Sequence, residues 1–379
     1  MASRTTYALV LILLLVVAGL AYESQAAHQS KVGTSSKTSS SSAQAVSPDW
    51  LAADPSFVGT NATIDYPPDY DSMAAYTLGL INTDRQSAGA PTVELSSVPS
   101  GQQHADSLSY FGTTGHWDVQ GYKPYMRYTL LGGTGYMAEN VAQGYCTSSQ
   151  PSAPTLVSAK CTTQTIENGL AAAEYQMMND DAACCGNGHK ENIVDKAHNS
   201  VSLGVAYNTT SRAVYLVEDF QDSFIQNGSI QLTGTNVTIS GTTNADLTGW
   251  TANAAASDIV VYHDPAPSAI PVSELAPSQS CDQNELKEPA PCQYLGAYSA
   301  GTQVADVLAP CPTKYKCGTG NFTFAATWAQ DASSGSFEIV VPLAQLESTY
   351  GGGVYTFYLW PDGDLTEPIT GLSVFATGA

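Results

Sequence analysis

Apolar side chains recur at helical spacing only before about residue 180, and that change of period constrains the fold more than any other feature. Met73, Tyr76, Leu80 and Ile81 share one face of a helix expected from Ser72, capped by Ser72 or Asp71, to about Gly89 ahead of Pro91. Ala105, Leu108 and Phe111 mark a second helix starting at Pro99 or Ser100, with His104 one residue off its apolar face. Ile166, Leu170, Ala173 and Met177 stripe a third, from about Thr165 to Asn179, with Glu174 beside the stripe. Val201, Leu203, Val205 and Tyr207 then alternate with small or polar residues, Asn208 to Ser211 reads as a turn, and Ala213 to Phe220 returns as a strand. After Gln226 short alternating runs take over, at Ile230–Leu232, Val237–Ile239, Ile259–Tyr262, Phe322–Trp328, Phe337–Val341 and Val354–Trp360.

A chain of 379 residues exceeds the size at which one core stops growing. The fold class expected is α+β: a mixed domain over 66–225, then an all-β, immunoglobulin-like sandwich over 226–379, built from roughly seven strands.

The first residues carry an address. Arg4 precedes an apolar run from Tyr7 to Tyr22, and Ser24-Gln25-Ala26 is a small-x-small site for cleavage after Ala26. The segment 1–26 is read as a signal peptide. Left uncut it would be an anchor of roughly 24 Å, short against a hydrocarbon core of about 30 Å. Residues 27–65 are a Ser/Thr-rich stalk or linker with no periodic apolar pattern. The body is expected outside the cell or on its surface, with a membrane tether only if the signal stays.

Charge narrows the partners. Lys plus Arg number 13 against 34 Asp plus Glu, a net −21, which repels polyphosphates and argues against nucleic acid. Charged residues make up 12%, about half of the roughly 25% of soluble domains, so Ser, Thr, Asn and Gln must cover much of the surface.

All eight cysteines follow the apolar run, and an even number in an exported chain favours disulfides. Neighbours Cys184 and Cys185 are expected to reach Cys146 and Cys161, in either order. Cys281 with Cys292 and Cys311 with Cys317 would close the shortest loops of the second set. N-x-S/T sequons at Asn61, Asn208, Asn227, Asn236 and Asn321 would put glycans on loops or strand edges in a host that adds them.

Three strings carry the candidate chemistry: Gly115-His116-Trp117, Ala138-Glu139-Asn140-Val141-Ala142, and Gly188-His189-Lys190-Glu191-Asn192-Ile193. In this order they resemble the CAP superfamily of cysteine-rich secretory proteins, antigen 5 and plant pathogenesis-related proteins (SCP-like), in its short prokaryotic form. Asn82-Thr83-Asp84-Arg85 with Gly89 and Pro91, QQHADSLSYF, GYKPYMRY, GGTGYMAENVAQGY, GHKENIVDKAHNSVSLGVAY and AVYLVEDF extend the resemblance over about Ser72 to Phe220. It implies an α-β-α sandwich whose cleft gathers His116, Glu139, Glu174 and His189. No tryptophan leads Glu174, and Lys190 rather than an aromatic follows His189, unlike the animal members.

Two neutral imidazoles facing each other bind a divalent cation, Zn2+ among them, with Glu139 and Glu174 behind them as carboxylates. Two histidines alone predict a weak, exchangeable site. The alternative is a buried hydrogen-bonded network that holds helices to the sheet. His104, His198 and His263 read as packing, loop and strand-end residues, and Asp118 and Glu191 as solvated neighbours of His116 and His189 or as groups that orient them.

With no P-loop, GxSxG, HExxH or paired CxxC, three roles are left. The first is a non-catalytic module engaging an extracellular lipid, a cell-envelope component or a protein. The second is a metal-assisted peptidase with a tetrad glutamate as base, which makes His116, Glu139, Glu174 and His189 candidate catalytic residues. The third is a surface-architecture protein whose cleft is vestigial.

Overall fold

The computed structural model describes residues 64–65, 70–148, 151–152, 154–156, 161–208, 211–251, 255–275, 298, 300–314, 322–362 and 367–376. The signal segment, most of the stalk, the sequons at Asn61 and Asn321, Cys281, Cys292 and Cys317, and the Cys184 side chain lie outside what is described.

The fold is α+β. A first sheet runs β1 (Ile64–Asp65), β4 (Ser200–Asn208), β5 (Ala213–Asp222), β3 (Tyr136–Tyr145), with β2 (Glu94–Leu95) also on β4. The expected hairpin is β4–β5, in a register that pairs Ser200 with Gln221 and Asn208 with Ala213. Strand β3 lies antiparallel to β5 and forms one edge of the sheet. The helices are α1 (Tyr70–Ser87), α2 (Ser100–Phe111), α3 (Pro124–Leu130), α4 (Thr163–Asn179), α5 (Asp181–Cys185) and α6 (Gly188–Val194).

Strand alternation explains the layering. Val201, Leu203, Val205, Val214, Leu216 and Phe220 pack against Met73 and Ile81 of α1 and against Ile166, Leu170 and Met177 of α4. The opposite face, Ala206, Ala213, Tyr215 and Val217, meets Ala105 and Leu108 of α2. Helices therefore cover both faces, and β5 is buried along its whole length. Helix α4 begins two residues ahead of the expected Thr165, because Thr162 and Thr165 form a reciprocal capping box. Arg85, fully buried at the end of α1, donates to the carbonyls of Pro91 (2.7 Å), Ile193 (2.7 Å) and His198 (2.9 Å), tying two loops and the end of α6 to one helix.

Beyond residue 225 two sheets face a common core. One runs β10 (Phe322–Phe324), β9 (Thr302–Leu308), β8 (Asp258–Asp264), β13 (Gly353–Trp360), β14 (Thr370–Ala376). The other runs β11 (Thr327–Gln330), β12 (Ser336–Pro342), β7 (Asn236–Thr242), β6 (Gln226–Thr233). Val237, Ile239, Val261, Ile339, Phe357 and Leu372 meet between them. The run Phe322–Trp328 splits into β10 and β11, which pair in different sheets. Two short helices, α7 (Val272–Leu275) and α8 (Leu343–Tyr350), interrupt the strands, and α8 buries Leu343 and Leu346.

The cysteine expectation is corrected at its centre. Cys146 and Cys161 bond each other, with Cα atoms 5.8 Å apart, rather than reaching Cys184 and Cys185. The cause is local: Cys146 follows β3, Cys161 precedes α4, and α4 packs against β3, so the two ends of that loop already meet. Cys185 and Cys311 are also disulfide-bonded, to partners outside the described side chains.

Residues 53–379 form one compact unit. Tyr125, Met126 and Tyr128 of α3 pack with Met137, Val354 and Phe375. Asp264 at the end of β8 accepts from Lys123 Nζ (2.7 Å), the Tyr125 hydroxyl (2.7 Å) and the Gly301 amide (3.2 Å). Further along, the Thr370 hydroxyl donates to the Thr134 carbonyl (2.7 Å).

Helix α2 lies on β4 through two glycines: a Cβ on Gly204 would sit 1.9 Å from the Gly101 carbonyl oxygen, whereas one on Gly79 of α1 meets nothing. Gly204→Ala is therefore expected to lose about 3 kcal/mol in urea unfolding through forced separation of helix and strand. Gly79→Ala should gain about 0.5–1 kcal/mol from helix propensity. Equal effects would contradict this packing.

Candidate functional site

Strand β3 presents consecutive residues to opposite faces of the sheet, so the Glu139-Asn140 pair addresses two polar clusters. Glu139 stands opposite Asp219 on the α2 face, and Asn140 opposite Glu218 on the face of α1 and α4.

On the α2 face, Glu139 Oε2 accepts from Arg127 Nη2 at 2.6 Å, and Oε1 lies 3.0 Å from His116 Nδ1. Arg127 Nη1 also donates to the carbonyls of His116 (2.8 Å) and Tyr122 (3.0 Å), which shapes the loop between α2 and α3. Burial pushes Glu139 up to about 7, while the Arg127 charge opposes it. Asp219 is raised well above the carboxylate range by burial and by the Glu139 charge, and the Ser100 hydroxyl donates to its Oδ2 at 2.5 Å. Burial drives His116 down to about 3, helped by charge on His189 and Arg127. The His116 imidazole is therefore neutral at pH 7, with Nδ1–H donating to Glu139 and the lone pair on Nε2.

His104 fixes the same loop from α2. Its Nε2 lies 2.9 Å from the Gly115 carbonyl, which only accepts, so that nitrogen carries the hydrogen. Burial lowers its pKa well below the usual value. Asp118 Oδ1 accepts from the amides of Gln120 (3.0 Å) and Tyr122 (2.8 Å); it closes a turn. Glu191 is exposed on α6. His198 bonds Asp222 and stacks on Phe220, and His263 bonds the Gly352 carbonyl at the end of β8.

On the other face, Asn140 Nδ2 donates to the His189 carbonyl (3.0 Å) and to Glu218 Oε2 (3.1 Å) and accepts from Asn192 (2.9 Å). The His189 ring turns to Asp181, with Nδ1 2.6 Å from Oδ1, while Asp181 Oδ2 accepts the His189 and Lys190 amides. His189 is thus oriented as His116 is, carboxylate on Nδ1 and Nε2 left over.

Glu174 stands elsewhere than in the expected quartet: its partners are Glu218 and Asp84. Burial first, then the charge of Glu218 and that of Asp84, raise Glu174 well above the carboxylate range. No amide or hydroxyl reaches either Glu174 oxygen among the described residues, which is what carboxyl-to-carboxylate contacts require. The structure brings His116 and Glu139 into direct contact, couples His189 to His116 through charge, and puts Asp181 where Glu174 was expected.

Tyr298, far along the chain, closes the first cluster. Its hydroxyl accepts the Glu139 amide and donates to the Glu139 carbonyl, and its ring centroid lies 4.5 Å from that of His116. Beside this, Trp117, Lys123 and Met126 face Asp264, Pro265 and Ile270 across a cavity of about 360 Å³. Lys123 Nζ sits 5.1 Å from the Trp117 ring centroid. The sequence offered no signal for Tyr298, and Arg127 and Asp181 stood in or near quoted strings without a motif of their own.

Compared with known proteins, the chain matches no family model and no curated protein. Among solved structures it is similar to the CAP domain of enterococcal PrgA, at 15% identity and a TM-score of 0.25, over 38% of this chain and 58% of that one. No helix among the described residues is long and apolar enough to cross a membrane.

Glu174 titrates near 4.5 when unfolded and well above it when folded, so the native state binds more protons above pH 4.5 and stability falls as pH rises there. Glu174→Gln removes that penalty and supplies a donor to Glu218 and Asp84. The variant should gain roughly 1–2 kcal/mol on wild type between pH 4.5 and 8, read from urea unfolding at each pH; a constant difference would reject the raised pKa of Glu174. In NMR, the His116 ring should keep its Nδ1–H tautomer and fail to titrate between pH 5 and 8.

Proposed function

We propose that this chain is an exported, non-catalytic binding protein of CAP type, which takes a lipid, a cell-envelope component or a protein in the cleft beside His116. The C-terminal sheets act as an immunoglobulin-like accessory module that forms the far wall of that cleft. The supporting observation is a mixed cavity walled in part by Trp117, the neighbour of His116 in the chain. A volume of about 360 Å³ lies within the range of small-ligand sites, and its walls combine Trp117, Met126 and Ile270 with the Lys123–Asp264 ion pair. Away from its lining, the groups a hydrolase would need are already engaged. Glu139 holds Arg127 and His116, and Glu174 lies against two other acids.

The same donors suit a divalent cation such as Zn2+ as an exchangeable guest. His116 and His189 each give Nδ1 to a carboxylate, the arrangement that orients metal-binding imidazoles and leaves Nε2 for the ion. The ring edges keep some contact with solvent, 12% of the His116 side chain and 17% of His189. Glu139 and Asp181 would be the supporting carboxylates. Such an ion would add positive charge beside the cleft and attract an anionic or carbonyl-bearing ligand group. A peptidase reading draws on Glu139, whose pKa of about 7 suits a general base, but Arg127 at 2.6 Å opposes its taking a proton.

Purified protein incubated with a mixed peptide library, with and without zinc, should give the same profile as a His116→Ala/His189→Ala variant. Cleavage confined to the wild type would replace the binding reading with the peptidase. Zinc competition against a chromophoric chelator should give a Kd of about 1 μM or weaker, rising at least about tenfold in either single histidine variant.

A further inference from the structure

Asp181, Cys185 and His189 offer an oxygen, a sulfur and a nitrogen, all within 4.8 Å of one another. Local geometry gathers them. Helix α5 puts residues 181 and 185 one turn apart on one side. Gly186 (φ 65°) and Asn187 (φ 73°) are both left-handed and reverse the chain, so α6 carries His189 back over α5. Cys185 is exposed and disulfide-bonded, so its sulfur offers no thiolate to a metal.

We propose that the disulfide of Cys185 is the lock on a redox-gated transition-metal site formed by Asp181, Cys185 and His189. A dithiol reductant passes two electrons and two protons to the disulfide, which becomes two thiols, while the dithiol closes to its own disulfide. Cys185 then loses its proton on binding the ion. The hydrogen between His189 Nδ1 and Asp181 Oδ1 gives way to the same ion and moves to Nε2. The 2.6 Å contact must open to roughly 3.3 Å, the separation of two ligands about 2.0 Å from a tetrahedral zinc-like centre. The set is one thiolate, one imidazole and one carboxylate with a fourth position for water, which selects zinc or cobalt over calcium or magnesium. This site uses the opposite ring nitrogen of His189 from the cleft ion proposed above, so the two ions compete for that ring and neither needs the other.

The full chain, reduced with a phosphine under anaerobic conditions, is titrated with cobalt(II) and followed by thiolate-to-cobalt charge-transfer absorption. Reduced wild type and reduced His116→Ala should both develop the band, the oxidised chain should not, and reduced Cys185→Ser should bind at least about tenfold more weakly. Asp181→Asn gives a second variant that keeps every thiol and should also weaken binding. No band in reduced wild type, or an undiminished band in reduced Cys185→Ser, overturns the proposal. So does loss of far-ultraviolet circular dichroism on reduction, because no folded site would then exist. Loss of the cleft ion in His116→Ala, with this band retained, separates failure of one site from failure of the other.

Discussion

A carboxylate with no exposed surface sits at position 139, and much of the molecule is arranged to make that tolerable. Isolating such a charge from water costs several kcal/mol unless donors surround it. Arg127 and His116 supply them. Arg127 then has donors left for the carbonyls of His116 and Tyr122, so the group that neutralises Glu139 also sets the path of the loop. That loop delivers Lys123, and the start of α3 Tyr125, to Asp264 on β8. One buried charge thereby connects the first sheet to the sandwich beyond it.

The alternation of β3 divides the polar interior. Glu139 and Asn140 are adjacent in sequence but serve opposite faces, one joined to α2 and its loop, the other to α1, α4 and α6. Strand β3 is an edge strand of this sheet, and burial is the main cause that holds His116 neutral. Tyr298 occupies that edge at Glu139, satisfying backbone groups that the missing neighbour strand would have paired.

Much of the first sheet system was legible because its helices bury one stripe each. The faces of Met73–Ile81, Ala105–Leu108 and Ile166–Met177 give the 3.6 period, and the β4–β5 hairpin gives the period of two. Strand β14 was not legible. It packs on the sandwich core with one face and on α3 and β3 with the other, so Thr370–Ala376 is buried nearly throughout and carries no alternation. Helix α8 was hidden for a related reason: eight residues with two buried leucines leave too short a stripe to read. At the site, His116, Glu139 and His189 stood out through local strings. The carboxylate that orients His189 did not, because Asp181 acts through the reversal at Gly186 and Asn187, a backbone event with no periodic signature.

Composition explains why the interior pairs acids with acids. Among the described residues eight Asp or Glu are buried but only three Lys or Arg, so the buried cations are too few to partner every buried carboxyl group. Arg127 goes to Glu139, Lys123 to Asp264, and Arg85 is spent on three carbonyls. What is left sets Asp219 against Glu139 and Glu174 against Glu218 and Asp84, and burial together with these neighbouring acids raises Asp219 and Glu174 well above the carboxylate range. These contacts oppose the two depressed histidines: raised acids favour the native state at low pH, and neutral His104 and His116 favour it once pH exceeds their low folded values. Above the unfolded histidine value of 6.5 the histidine contribution is complete, and only the acid contribution still changes with pH. The scarcity of buried cations thus sets the pH response of the interior on both sides of β3.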